Sequence, residues 1–163
     1  MNILKPDLMV NSISKINLKC FWEKNKRGII IDLDNTLAPW NIEQVNEKAD
    51  IFLKEALALK YKICLLTNAG KERTKKVAEQ YQMFYIATAF KPRKKAFSHA
   101  LELIGLEANQ VIVIGDQLFT DILGGNRAGC YTILVPALSK REFVGTKILR
   151  LLERVIKSLN HVY

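Results

Sequence analysis

Short, continuous apolar runs alternate along this chain with longer segments of helical period. The runs fall at 28–33, 62–67, 83–87, 110–115 and 131–135. Turn-forming residues bound them, and their unbroken Ile, Val and Leu character is that of parallel strands covered on both faces. Helices are predicted between them at 44–60, 71–81, 93–104 and 120–128, with a final one over 139–160. Ser139-Lys140-Arg141-Glu142 has the spacing of a capping box, a start signal for that last helix. This alternation predicts an α/β fold, three layers built around a five-stranded, mainly parallel sheet. No repeat, low-complexity tract or linker divides the chain, so 1–163 is expected to form one domain. Its core would be 28–136, with an N-terminal extension at 1–27.

Composition fits a globular domain. With 163 residues, 49% of them hydrophobic and 25% charged, the chain can bury a full core. No stretch approaches the roughly 18 uninterrupted apolar residues of a membrane span. The N-terminus lacks the basic start, apolar core and small-residue cleavage site of a secretory signal. Cys20, Cys64 and Cys130 are odd in number and widely spaced, so they read as thiols of a reducing compartment, not as a disulfide or zinc framework. A cytoplasmic protein is expected.

The net charge of +9 changes the picture more. Basic residues gather at Lys15, Lys19, Lys24, Lys26 and Arg27, at Lys91-Pro92-Arg93-Lys94-Lys95, and along the last predicted helix. A field of that sign favours anionic partners: a phosphorylated substrate, an acidic lipid surface or RNA. A solvated basic surface explains the charge equally well. In the last helix, Val144, Ile148, Leu151, Leu152, Val155 and Leu159 form an apolar stripe opposite Lys147, Arg150, Arg154 and Lys157. Covering the sheet is the favoured reading of that stripe; lying on an anionic membrane is the alternative.

Candidate chemistry begins where the first apolar run ends, at Asp32-Leu33-Asp34-Asn35-Thr36. Strand side chains alternate, so acids separated by one residue point the same way. A core has no use for such a pair, whereas attack at phosphorus does: one carboxylate attacks while its neighbour moves the proton. In open parallel sheets ligands bind beyond the carboxyl ends of the strands. Thr67-Asn68, Lys91 and Gly115-Asp116 fall there too, with Asp121 at the start of the next helix. The Thr67 hydroxyl and the amides around Asn68 can donate to a phosphoryl group, and Lys91, kept out of the helix by Pro92, adds a fixed charge. Asp32 and Asp116 offer hard oxygen ligands suited to Mg²⁺.

Taken together, Asp-Leu-Asp-Asn-Thr, Thr-Asn, Lys-Pro and Gly-Asp-Gln-Leu-Phe-Thr-Asp resemble the four ordered motifs of the haloacid dehalogenase (HAD) superfamily. The spelling of the first motif and Gly124-Gly125-Asn126-Arg127-Ala128-Gly129 are similar to subfamily IIIA, the YqeG-like phosphatases, a group that includes mitochondrial phosphatidylglycerophosphate phosphatases. The resemblance implies an HAD-like phosphatase with Asp32 as nucleophile, forming an aspartyl-phosphate, and Asp34 as proton donor and then base. It implies Thr67, Asn68 and Lys91 as phosphate-binding residues. It also implies Mg²⁺ held by Asp32, Asp116 and the Asp34 carbonyl, with Asp121 in support. The intervals Thr36 to Thr67 and Asn68 to Lys91 are too short for an inserted cap domain. An open site suits a phosphate projecting from something large, such as a lipid head group, and leaves selectivity to Ala38-Pro39-Trp40 and the basic loop around Arg93.

The expected activity is therefore Mg²⁺-dependent phosphomonoester hydrolysis, with phosphatidylglycerophosphate as first substrate and peripheral contact with an anionic membrane. Soluble sugar or nucleotide monoesters are the alternative. A basic RNA- or ribosome-binding protein with a vestigial site ranks last, because every catalytic position is filled. A receiver domain is rejected, since there the phosphoacceptor belongs to a middle strand. Blander readings suit other residues: Lys94 and Lys95 as a solvated helix start, Arg127 at a corner, Cys64 in the core, and His99 and His161 without metal-ligand company. Trp40 is either a flap residue beside the substrate or a packed loop aromatic.

Overall fold

The central strands are the apolar runs. In the computed structural model, which describes residues 3–139, they appear as β2 (Gly28–Ile31), β3 (Lys62–Leu66), β4 (Phe84–Ile86), β5 (Val111–Gly115) and β6 (Tyr131–Leu134). All pair in parallel, with Ile29 opposite Ile63 on one side and Ile112 on the other. Period-two alternation sends neighbours to opposite faces. Ile29 and Ile31 join one core with Phe52 and Leu53, whereas Ile30 joins another with Phe97, Ala100 and Ile104. Both faces are dry, which is why these strands carry no polar alternation.

The sheet has six strands among the described residues, not five, in the order β1-β6-β5-β2-β3-β4. The extra strand, β1 (Leu8–Met9), comes from the N-terminal extension and pairs with β6. Its two residues are too few to show a period, so local pattern could not reveal it. Asp7 fastens it: the backbone N–H and the hydroxyl of Thr132 donate to Asp7 Oδ2 at 2.7 and 3.1 Å. The extension continues through a 3₁₀ turn (Ile13–Lys15) into α1 (Leu18–Glu23), and Ile13, Ile16, Leu18 and Phe21 are buried in the core of the domain.

The other helices follow their predicted positions with displaced ends. α2 (Glu47–Ala58) starts later than expected because Asn46 caps it, its side-chain oxygen accepting from the Lys48 N–H at 3.0 Å. α3 (Lys71–Gln80) and α4 (Lys94–Ile104) begin within a residue of expectation. The helix predicted over 120–128 is two pieces: a wide turn, Leu118–Ile122, leads into α5 (Leu123–Ala128). In that turn the Ile122 N–H reaches back to the Gln117 carbonyl at 3.2 Å, a π-type bond of the kind that collects at functional sites. A side chain at Gly124 would collide with the Phe97 ring, so this glycine sets the close approach of α5 to α4. Beyond Ser139 the predicted final helix lies outside the described residues.

Between β2 and β3 the chain makes one flap loop and α2, and between β3 and Lys91 only α3 and β4. No inserted domain occupies either interval. The carboxyl ends of β2, β3 and β5 therefore open directly into a cleft.

Candidate active site

Asp32 follows the last residue of β2, where its N–H still donates to the Ile114 carbonyl of β5 at 3.0 Å. That sheet bond fixes the direction of its side chain. Lys91 approaches from the loop after β4, and its ammonium donates to Asp32 Oδ1 and to Asp121 Oδ1, both at 2.6 Å. All three side chains are buried, the lysine with 4% of its surface exposed. Lys94 and Lys95 are exposed on α4. Asp121 also accepts from the Gln117 N–H at 3.1 Å, a bond made available by the wide turn. Asp116 follows the last residue of β5 beside them and accepts from the Thr36 hydroxyl at 3.3 Å.

One atom in this cluster is conspicuous. Asp32 Oδ2 is buried and has no hydrogen-bond partner among the described residues. An unsatisfied buried oxygen costs about 1–3 kcal/mol, more when charged. Burial pushes the Asp32 carboxyl up to about 7, against the pull of Lys91 and with the help of Asp121 and Asp34. For Lys91, burial acts downward, but Asp121 and Asp32 outweigh it and hold the ammonium above its ordinary range. Asp32, Asp116 and Asp121 can each turn an oxygen to within 4.8 Å of the others. With all three carboxylates ionised, the cluster holds two more negative charges than its one ammonium offsets, and one divalent cation would neutralise them. Hard carboxylate oxygens suit a hard divalent cation, Mg²⁺ among them, better than a softer ion. The donor set fits the metal.

Asp34 occupies the cleft wall, half-buried, on the flap that follows β2. The flap closes on itself through Asn35, whose left-handed backbone (φ 63°) and N–H to Ala38 carbonyl bond of 2.7 Å make a tight turn. Thr67 ends β3; its Oγ1 accepts from the Ala69 N–H at 3.1 Å, so its own proton can point into the cleft. Asn68 also lines the cleft, and its side-chain oxygen accepts from the Lys91 N–H at 2.8 Å, which ties the lysine loop to the end of β3. Asp32, Asp34, Thr67, Asn68 and Lys91 thus line one cavity of about 1040 Å³, with Trp40 and Arg93 at its rim. Asp116 and Asp121 stand behind Asp32.

Sequence reasoning missed three residues of this site. Arg73, in the first turn of α3, donates to Asp34 Oδ1 at 2.6 Å. Thr36 was quoted within its motif without a role, yet it bonds Asp116. Phe90 stands at the cleft with 64% of its surface exposed and a left-handed backbone (φ 52°). The one signal for Arg73 was its place, since a cation in the first turn of a helix opposes the macrodipole and calls for a local partner.

The HAD-hydrolase-like family model matches residues 88–141. The solved HAD-superfamily hydrolase from Ehrlichia chaffeensis superposes with a TM-score of 0.58 at 17% identity, covering 80% of this chain and 98% of that one, a likeness of fold. Phosphatidylglycerophosphate phosphatase 1, chloroplastic/mitochondrial, of Arabidopsis thaliana is 26% identical over 157 residues, 90% of this chain but 45% of that protein. Probable phosphatase YqeG of Bacillus subtilis (strain 168) is 37% identical over 153 residues, 94% of this chain and 89% of that protein. With identity of that level along nearly its whole length, and with this fold, the chain belongs to the YqeG family of HAD-type phosphatases.

Proposed function

We propose that the chain is a Mg²⁺-dependent phosphomonoester hydrolase that works through an aspartyl-phosphate on Asp32, and that its substrate is phosphatidylglycerophosphate. The single observation that carries the chemistry is the state of Asp32. One of its oxygens is held by Lys91 and the other is buried without a partner among the described residues, on a side chain that lines the cleft. The unpartnered oxygen is the attacking atom. Its electron pair forms the new bond to phosphorus while the leaving oxygen takes a proton from Asp34. Lys91 and the Thr67 hydroxyl face the equatorial oxygens, where charge gathers in the transition state. Asp34, now ionised, takes a proton from the water that attacks the aspartyl-phosphate; phosphate leaves and Asp32 is restored. Asp32, Asp116 and the Asp34 carbonyl would hold Mg²⁺, with Asp121 fixing Lys91 beside them. When bound, the ion offsets the repulsion between carboxylate and phosphate and lowers the Asp32 carboxyl back into its ionised range.

Three features support a lipid phosphate. Among the described residues the cleft is open, so a head group can enter while its tails stay in a bilayer. Its rim carries Trp40 and Phe90, 36% and 64% exposed, with the Arg93 guanidinium 5.1 Å from the Phe90 ring centre. A bulky residue in left-handed backbone gains nothing from the fold by pointing outward, and such outliers gather at functional sites. The third is the Arabidopsis relative, which is a phosphatidylglycerophosphate phosphatase by name. The enzyme would act from the cytoplasm, touching the membrane only at its surface.

The test is phosphate release from phosphatidylglycerophosphate in mixed micelles, with and without Mg²⁺, beside a panel of sugar phosphates and nucleotides. Asp32→Asn is the blank, and its turnover is expected to fall at least about 1000-fold. Chelation should abolish release and Mg²⁺ should restore it. Turnover of soluble esters with none of the lipid would hand the function to sugar or nucleotide monoesters. Release that survives Asp32→Asn would remove the mechanism altogether.

A further inference from the structure

We infer that Arg73 is the positioning residue for the proton-transfer group of this enzyme, an inference that rests on the phosphatase reading above. Its guanidinium makes contacts that converge on one short stretch of chain. Nη1 donates to Asp34 Oδ1 at 2.6 Å; Nε and Nη2 donate to the Ile42 carbonyl at 3.0 and 2.7 Å; Nη2 reaches the Pro39 carbonyl at 3.4 Å. The planar fork of arginine can serve a carboxylate and backbone carbonyls at once, which the single ammonium of lysine cannot. Arg73 therefore binds the outer half of the flap to the start of α3, and through the flap it sets where Asp34 stands.

The pattern on Asp34 is specific. The second donor to that carboxylate, the Asn41 N–H at 3.1 Å, goes to the same oxygen as Arg73. Among the described residues, no hydrogen bond is made to Oδ2. Two donors on Oδ1 stop the carboxylate from rotating and leave Oδ2 as the oxygen that carries the exchanged proton. A proton donor must lie within hydrogen-bond reach of the leaving oxygen, and small displacements are costly. Asn41 is itself in left-handed backbone (φ 60°) between the two carbonyls that Arg73 holds, so its N–H is aimed by the same clamp. Arg73 also stands in the first turn of α3, where a cation opposes the macrodipole, and its side chain is only 13% exposed. Both costs are met locally by Asp34 and the flap carbonyls.

The consequence concerns leaving groups. An alkoxide cannot depart without a proton, whereas p-nitrophenolate can. If Arg73 acts by holding Asp34, then Arg73→Ala should lower the first-turnover rate of alcohol release from an alkyl phosphate such as glycerol 3-phosphate by about 100-fold. On p-nitrophenyl phosphate the first-turnover rate of p-nitrophenolate release, which needs no proton from Asp34, should fall no more than about threefold, and the substrate concentration that half-saturates the first turnover should change little on either ester. Arg73→Lys, which keeps the charge but loses the fork, should recover part of the alkyl activity, and added guanidine should rescue Arg73→Ala further. Both variants are checked for an unchanged thermal midpoint, and Arg73→Lys serves if the alanine variant fails to fold. An equal fall in the two first-turnover rates, or a loss confined to the half-saturating substrate concentration, would overturn the proposal and leave Arg73 as a structural or substrate-binding residue. Wild-type turnover of both esters with no effect of either variant would overturn it too. Wild-type protein inert on every phosphoester would instead bring down the phosphatase reading, a result separate from these.

Discussion

Gly115 closes β5 because a larger residue would leave no room for Asp121. A Cβ at this position would run into the Asp121 carboxylate, and that carboxylate is half of the cradle that holds Lys91. The backbone here is a strand, which alanine tolerates, so Gly115→Ala tests the contact and not the conformation. Relief would require Asp121 to swing away from Lys91 and from the Gln117 N–H. We expect the variant to fold with a loss of about 1–3 kcal/mol, read from urea unfolding, while kcat/KM falls by more than tenfold. Full activity in that variant would show that Asp121 is dispensable. At this scale, Asp32, Thr67, Lys91 and Asp116 were legible because each has a chemically expensive side chain at the carboxyl end of an apolar run. Arg73 and Phe90 were not. The partners of Arg73 lie on a flap some thirty positions away, Asp34 at a separation of 39 residues, and a left-handed backbone leaves no mark when the residue is not glycine or asparagine.

Elements were legible where burial is complete on both sides. β3 is an example: Ile63, Cys64, Leu65 and Leu66 are all buried, so the run is apolar whichever face each residue takes. β1 was not, since its identity depends on Asp7 meeting Thr132 at the open edge of β6, 125 residues away in sequence. Element ends shifted for a local reason instead, as with α2, where the Asn46 side chain caps the helix so that it starts at Glu47. The burial of β3 has a measurable sign. Burial pushes the Cys64 thiol up to about 12 from an ordinary value of 9. Below pH 9 the thiol is neutral in both folded and unfolded chains and the folded state carries no penalty. As pH climbs from 9 toward 12, only the unfolded chain can ionise there, and stability drains away by at most about 1.4 kcal/mol per pH unit from this group. Other groups titrate in the same range, so the informative quantity is a difference. The advantage of wild type over Cys64→Ala in urea should shrink from pH 9 upward. A constant gap would mean that the thiol ionises within the fold, and β3 would then be wetter than its packing implies.

At the scale of the whole chain the sequence is basic, and among the described residues the cleft is open. On the proposed lipid reading, the net charge of +9 would draw the protein toward an anionic surface, and the exposed aromatics at the rim would give that encounter an orientation. The two contributions separate experimentally. Coulomb attraction fades as the Debye length shrinks from about 10 Å at 0.1 M salt to 3 Å at 1 M, whereas burial of an aromatic ring in lipid does not. Protein incubated with vesicles rich in phosphatidylglycerol should therefore co-sediment strongly at low salt and weaken as salt rises. Phe90→Ser should weaken binding about tenfold at fixed low salt, the loss expected for one partly buried apolar side chain. Trp40 supplies an optical report. The chain has two tryptophans, and Trp22 is engaged inside, its ring under the Arg27 guanidinium at 4.0 Å. In a Trp22→Phe background, emission from Trp40 should shift to the blue on adding anionic vesicles and stay unchanged with neutral ones. Binding that depends on salt alone, with no shift and no effect of Phe90→Ser, would mean that charge gathers the protein at the surface without turning the cleft toward it. A lipid phosphate would then have no route to Asp32, because an open site takes a bilayer-anchored substrate only when its mouth faces the bilayer.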